Sequence, residues 1–72
     1  MKQEKPNWDD APEWAKWLCM DQDWEWNWCE ELPEWGSWYW DLGIGKHAVA
    51  SPRKYGDQAL WDVAVNSLEK RP

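Results

Sequence analysis

Nine tryptophans fall between Trp8 and Trp40, with a tenth at Trp61, in a chain of only 72 residues. A chain this short hides a small share of its surface, so each apolar side chain counts heavily toward stability. A buried indole removes roughly 150–250 Å² from water, worth on the order of 4–6 kcal/mol at about 25 cal/mol per Å². Against the ordering entropy of the chain, about half of these rings must be inside if it folds alone. Trp14, Trp17, Trp26, Trp28 and Trp40 have first claim on that core. The other rings are either further packing or part of a binding face.

The indoles are interleaved with carboxylates. Residues 9–41 hold ten acids against Lys16 alone, a net charge of −9, whereas residues 1–8 carry +1 and residues 42–72 carry +2. A concentrated negative field disfavours direct contact with phosphates and favours a basic partner, with faster encounter at low salt. No apolar run reaches the length of a membrane span, and the first six residues lack the apolar stretch of a signal peptide. These features predict life in a cytoplasm. Cys19 and Cys29 are then read as reduced thiols packed as small apolar groups.

Two periodicities organise the chain. Residues 1–8 are polar and contain a proline, so they read as a flexible lead-in to one small domain over 9–72. Asp10 and Glu13 have the spacing of a capping box, and Pro12 suits a first helical turn. A helix is expected over 11–20, with Trp14, Trp17 and Leu18 on one face. After the turn at Asp21, Gln22 and Asp23 the period becomes two. Trp24, Trp26 and Trp28 alternate with Glu25, Asn27 and Cys29, and Trp38, Trp40 and Leu42 alternate with Ser37, Tyr39 and Asp41. A reversal at 31–35 would pair these two strands, set Trp28 against Trp38 and Trp26 against Trp40, and leave Glu25, Asn27, Ser37, Tyr39 and Asp41 in solvent. A short third strand is expected over 46–50. A C-terminal helix is expected from Asp57 through Leu68. The fold class is α+β: an N-terminal helix on a tryptophan-rich antiparallel hairpin or three-stranded meander, closed by a C-terminal helix.

Three sets of residues suggest resemblance to a known group: the string Asp10-Ala11-Pro12-Glu13-Trp14-Ala15-Lys16-Trp17-Leu18 with an acidic turn at Asp21 and Asp23, the paired Trp-x-Trp strands, and the ending Ser67-Leu68-Glu69-Lys70-Arg71-Pro72. Together they resemble the short tryptophan-rich accessory proteins of tailed bacteriophages. The resemblance covers 9–42 and 67–72. Members of that group place glycine after the acidic turn, where this chain has Trp24. The resemblance implies a phage gene expressed in the host bacterial cytoplasm, mostly of unassigned function, and brings no catalytic residues with it.

Catalytic signatures are weak. Acids beside indoles suggest a glycosidase cleft, but so short a chain has little scaffold to fix two carboxylates at a working separation. Gly43, Gly45 and Lys46 do not form a phosphate-binding loop, because Trp40 and His47 stand where glycine and a hydroxyl residue are required. Lys46, His47, Arg53 and Lys54 read as a solvated loop. His47 is the sole histidine, too little to complete a zinc set with two cysteines. No cofactor, metal or catalytic residue is therefore expected.

Binding is the expected role. The leading reading is a non-enzymatic accessory protein that binds, and thereby inhibits, a host protein with a basic surface, such as a nucleic-acid-binding enzyme or defence factor. Carboxylates would occupy the cationic groove and an aromatic anchor would provide the desolvated centre of the contact. Trp24, Trp35 and Trp38, near strand ends, with Glu25, Glu30, Glu31 and Glu34, are the candidate face. Two alternatives use the same rings: a glycan- or base-stacking module, and a virion or homo-oligomer assembly component.

Overall fold

The computed structural model describes residues 5–36, 39–51 and 61–72. Asn7 caps a 3-10 turn, Trp8–Asp10, its side chain accepting from the Asp9 N–H at 2.9 Å. A second turn follows at once, closed by the Ala15 N–H on the Pro12 carbonyl at 3.0 Å. The chain then runs extended into β1 (Trp17–Met20) rather than into a helix. β2 (Trp26–Cys29) returns antiparallel to it, with Trp17 opposite Cys29 and Met20 opposite Trp26.

β3 (Glu34–Trp35) and β4 (Trp40–Asp41) form a separate two-stranded ladder. The strand expected over 46–50 forms as β5 (His47–Ser51) and pairs with the other edge of β2. A short helix, α1 (Trp61–Val65), precedes β6 (Glu69–Lys70), which pairs with β1. The main sheet has the order β5-β2-β1-β6. The fold is therefore mainly antiparallel β, which corrects the α+β expectation of a helix at each end.

The reason lies in how β1 and β2 are covered. A surface helix buries one stripe, whereas an interior strand buries both faces and reads as an unbroken apolar run. Trp17-Leu18-Cys19-Met20 is such a run. Leu18 and Met20 join Ala15, Trp26 and Trp28 in one cluster, against which Trp8, Ala11, Trp14 and Trp24 pack. Cys19 and Cys29 join Trp40 in a second cluster, with Trp17, Trp35, Leu42 and Leu68 against it. Trp14 and Trp17, expected on one helix face, thus belong to opposite layers. Asn27, expected in solvent, is buried with all of β2.

The expected reversal at 31–35 is also displaced. The Gly36 N–H donates to the Tyr39 carbonyl at 2.8 Å, and Trp35 rather than Trp26 stands opposite Trp40. Trp40 is anchored by its indole N–H, which reaches the carbonyls of Met20 at 3.1 Å and Ala64 at 3.3 Å. At the C-terminal end the described helix stops at Val65, and Lys70 and Arg71 lie in or after a strand instead of ending a helix. The expected cap at Asp57 and the position of Leu60 lie outside the described residues.

Candidate functional site

The β3–β4 ladder has two sides. Residues 34 and 35 project oppositely, as do 40 and 41. Trp35 and Trp40 meet edge to face on the inner side, their centroids 5.3 Å apart at 71°, and Trp35 also meets Trp61 at 6.5 Å. The partner pair on the other side is Glu34 opposite Asp41. Two carboxylates directly across a ladder repel each other.

These two acids line a cleft of about 320 Å³ together with Glu31, Leu32, Gly43 and Ile44. Its far wall is a glycine loop moulded on carboxylates. Gly43 has φ +75°, a left-handed conformation suited to glycine, and its N–H donates to Asp41 at 3.0 Å. The Gly45 N–H donates to Glu31 at 2.6 Å, and a side chain at Gly45 would stand only 2.8 Å from the Glu31 Cγ. The Lys46 N–H donates to Glu30 at 3.1 Å, while the Glu30 N–H donates back to the Lys46 carbonyl. Glu30, Glu31 and Asp41 are thereby fixed in orientation. Among the described residues no hydrogen bond reaches the Glu34 carboxylate.

The rim of the cleft is apolar. Ile44, at the tip of the glycine loop, is 100% exposed and Leu32 is 57% exposed. Sequence reasoning passed over both. A lone aliphatic between two glycines was the available signal for Ile44, because nothing in a loop of that composition calls for an apolar side chain.

The structure divides the expected acidic and aromatic face. Glu30, Glu31 and Glu34 lie at one end of β2 and on the adjoining ladder; Trp24 and Glu25 lie at the other end of β2. Trp24 packs half-buried on the Leu18 cluster. Trp35 is half-buried on the Cys19 cluster, its indole N–H enclosed and without a hydrogen-bond partner among the described residues. Trp38 lies outside the described residues, as do Arg53 and Lys54. The acids of the cleft are thus bordered by aliphatic groups, and the indoles hold the hairpin from beneath.

Trp24 has a feature of its own. The β1–β2 loop is closed by the Trp24 N–H on the Asp21 carbonyl and the Asp21 N–H on the Glu25 carbonyl, each at 3.0 Å. This places Trp24 in the left-handed position of a three-residue hairpin loop, with φ +68°. Glycine is the usual occupant of that position.

Among the described residues, no three His, Cys, Asp or Glu side chains come together in a metal-holding group. Among the same residues, no helix is long and apolar enough to cross a membrane. No protein family model, curated protein or solved structure matches this chain.

Proposed function

We propose that this chain is a non-enzymatic binding module whose cleft receives a basic, partly apolar segment of a protein partner. In the setting that the phage resemblance implies, the partner is a host protein with a basic surface that serves nucleic acid, and occupation of that surface inhibits it. The observation that carries the proposal is the Glu34–Asp41 pair. Two carboxylates held opposite each other beside an oriented Glu31 cost stability in the free protein, and a lysine or arginine entering between them relieves that cost. Leu32 and Ile44 flank the entry point and give the apolar stem or neighbour of that cation a place to dock.

The net charge of −6 supports the same direction of approach, since it attracts a basic surface over distance and repels free polyanions. Affinity purification from bacterial lysate with the wild-type chain and with E34Q/D41N tests the reading. A basic protein retained by the wild type, lost from the double variant and released by moderate salt is the expected result. Equal recovery by both chains, or capture that ignores salt, would overturn it.

A further inference from the structure

The second core cluster contains two groups that packing alone does not require to be thiols. Cys19 and Cys29 are fully buried, and their sulfurs lie 3.9 Å apart. Cys19 stands opposite Asn27 and Cys29 opposite Trp17, so the cysteines are diagonal neighbours on the same face of the β1–β2 ladder. We propose that Cys19 and Cys29 are a reversible oxidation site, closed to an intramolecular disulfide by a peroxide and reopened by a dithiol.

Diagonal residues on antiparallel strands have Cα atoms about 7–8 Å apart, whereas disulfides usually span about 4.4–6.8 Å. Closure therefore draws β1 and β2 together at one point. A bond formed against that resistance is easily reduced, which makes the site reversible instead of a permanent staple. Access comes through the layer above. Trp40 covers the pair from a hairpin whose strands are two residues each, an element short enough to open locally without unfolding the main sheet.

The two sulfurs share one hydrogen bond in which either can donate. Its hydrogen bond with Cys29, reinforced by burial, pushes the Cys19 thiol up, and the same hydrogen bond lowers Cys29 against the opposing effect of burial. Either sulfur can lead and both orders balance alike; when Cys29 leads, it attacks as the thiolate. Its sulfur bonds to one peroxide oxygen as the O–O bond breaks, and the departing hydroxide takes up the proton that Cys29 gave up, leaving water and a sulfenic acid. The Cys19 sulfur then attacks the Cys29 sulfur, the S–O bond breaks, and the released hydroxide takes the Cys19 proton as a second water. Two thiols and one hydrogen peroxide give one disulfide and two waters, with the sulfurs oxidised by two electrons in total.

The site does not depend on the binding role of the cleft, and it is tested on the whole wild-type chain. Chelator-treated, reduced protein is exposed to hydrogen peroxide, quenched, and followed by intact mass, peptide mapping and size. The expected product is a monomer that has lost the mass of two hydrogen atoms, maps to a Cys19–Cys29 link, and returns to the starting mass with dithiothreitol. Dimedone should label Cys29 in C19S far more than in the wild type, where the sulfenic acid is consumed. Thiols that stay unreacted, separate sulfinic acids, or crosslinked dimers would each overturn the proposal, and these outcomes are read on the wild-type chain even if C19S does not fold.

Discussion

The guanidinium of Arg71 stands over the ring of Trp8, 5.7 Å from its centroid. The same guanidinium donates from one nitrogen to the carbonyls of Ala15 at 2.7 Å, Pro12 at 2.9 Å and Glu13 at 3.4 Å. Beside it, Glu69 accepts from the Trp8 indole at 2.5 Å and pairs with Lys5 at 2.6 Å. Residues 69–71 thus clasp the segment that covers the Leu18 cluster.

Replacing Arg71 tests that clasp. R71A leaves three carbonyls short of a donor and removes the cation from Trp8, and it is expected to cost about 1–3 kcal/mol in urea unfolding. R71K is expected to recover less than half of the loss, because an ammonium lacks the planar fork that both stacks and donates.

Trp26 and Trp40 are equally buried but differently satisfied. The indole N–H of Trp40 has two carbonyl partners, whereas the indole N–H of Trp26 is enclosed without one among the described residues. Phenylalanine at position 40 discards hydrogen bonds; at position 26 it discards an unmet donor. W40F is expected to be less stable than W26F by about 1–2 kcal/mol, measured as the difference in unfolding free energy.

The left-handed backbone at Trp24 separates from its ring by a pair of substitutions. W24A and W24G both lose the indole packing, but only glycine relaxes a φ of +68°. W24G is expected to exceed W24A in stability by about 1 kcal/mol in thermal or urea unfolding. Equal stability would mean that the loop carries no backbone strain.

Two acids give opposite pH dependences. The Lys5 ammonium bonded to Glu69, helped by the Trp8 N–H, holds its carboxyl below the ordinary value of 4.5 despite some burial. Its stabilisation is therefore present above that value and lost as pH falls through the lower folded pKa, so E69Q should destabilise at neutral pH and match the wild type in strong acid. Burial pushes Asp21 above its ordinary value of 3.8, opposed by the backbone N–H of Trp40 and reinforced by Asp23 and Glu25. The favourable contribution of Asp21 is complete below 3.8 and lost as pH rises through the folded pKa. D21N keeps an oxygen for the Trp40 N–H at 2.9 Å, and should gain stability at neutral pH but not in acid. Urea titrations across this range check both signs.

Periodicity in the sequence was informative where a strand alternates and misleading where it does not. The spacing of Trp26 and Trp28 correctly put both rings in one layer, and the burial of Trp26, Trp28 and Trp40 followed from the size of an indole. Residues 17–20 carried no alternation because both faces are covered, and the spacing of Trp14 from Trp17 imitated a helical stripe across a turn and a strand. The reversal at 31–35 was misplaced because Pro33 and Gly36 fit either side of β3. Of the residues that line the candidate cleft, Glu31 and Glu34 were legible as neighbouring acids from charge alone. The opposition of Glu34 and Asp41 was not, since it depends on the register of a ladder only two residues long. Two stretches of the resemblance, residues 10–18 and 67–72, meet through Arg71, which donates to the carbonyls of Pro12, Glu13 and Ala15, and through the pairing of β6 with β1. These two stretches hold the fold and do not border the cleft, whereas the rest of the resemblance, over 19–42, includes Glu31, Leu32, Glu34 and Asp41, which line it.

In the β3–β4 hairpin and the loop that follows, residues of the core and residues of the cleft alternate along the chain: Glu34 then Trp35, Trp40 then Asp41, Leu42 then Gly43. Changes at Leu32, Glu34, Asp41 or Ile44 leave both clusters intact, so the outward half of this segment is free to vary while the inward half keeps the scaffold. Under the proposed binding role, such a chain could exchange one partner for another by rewriting a handful of surface positions, without having to solve the folding problem again.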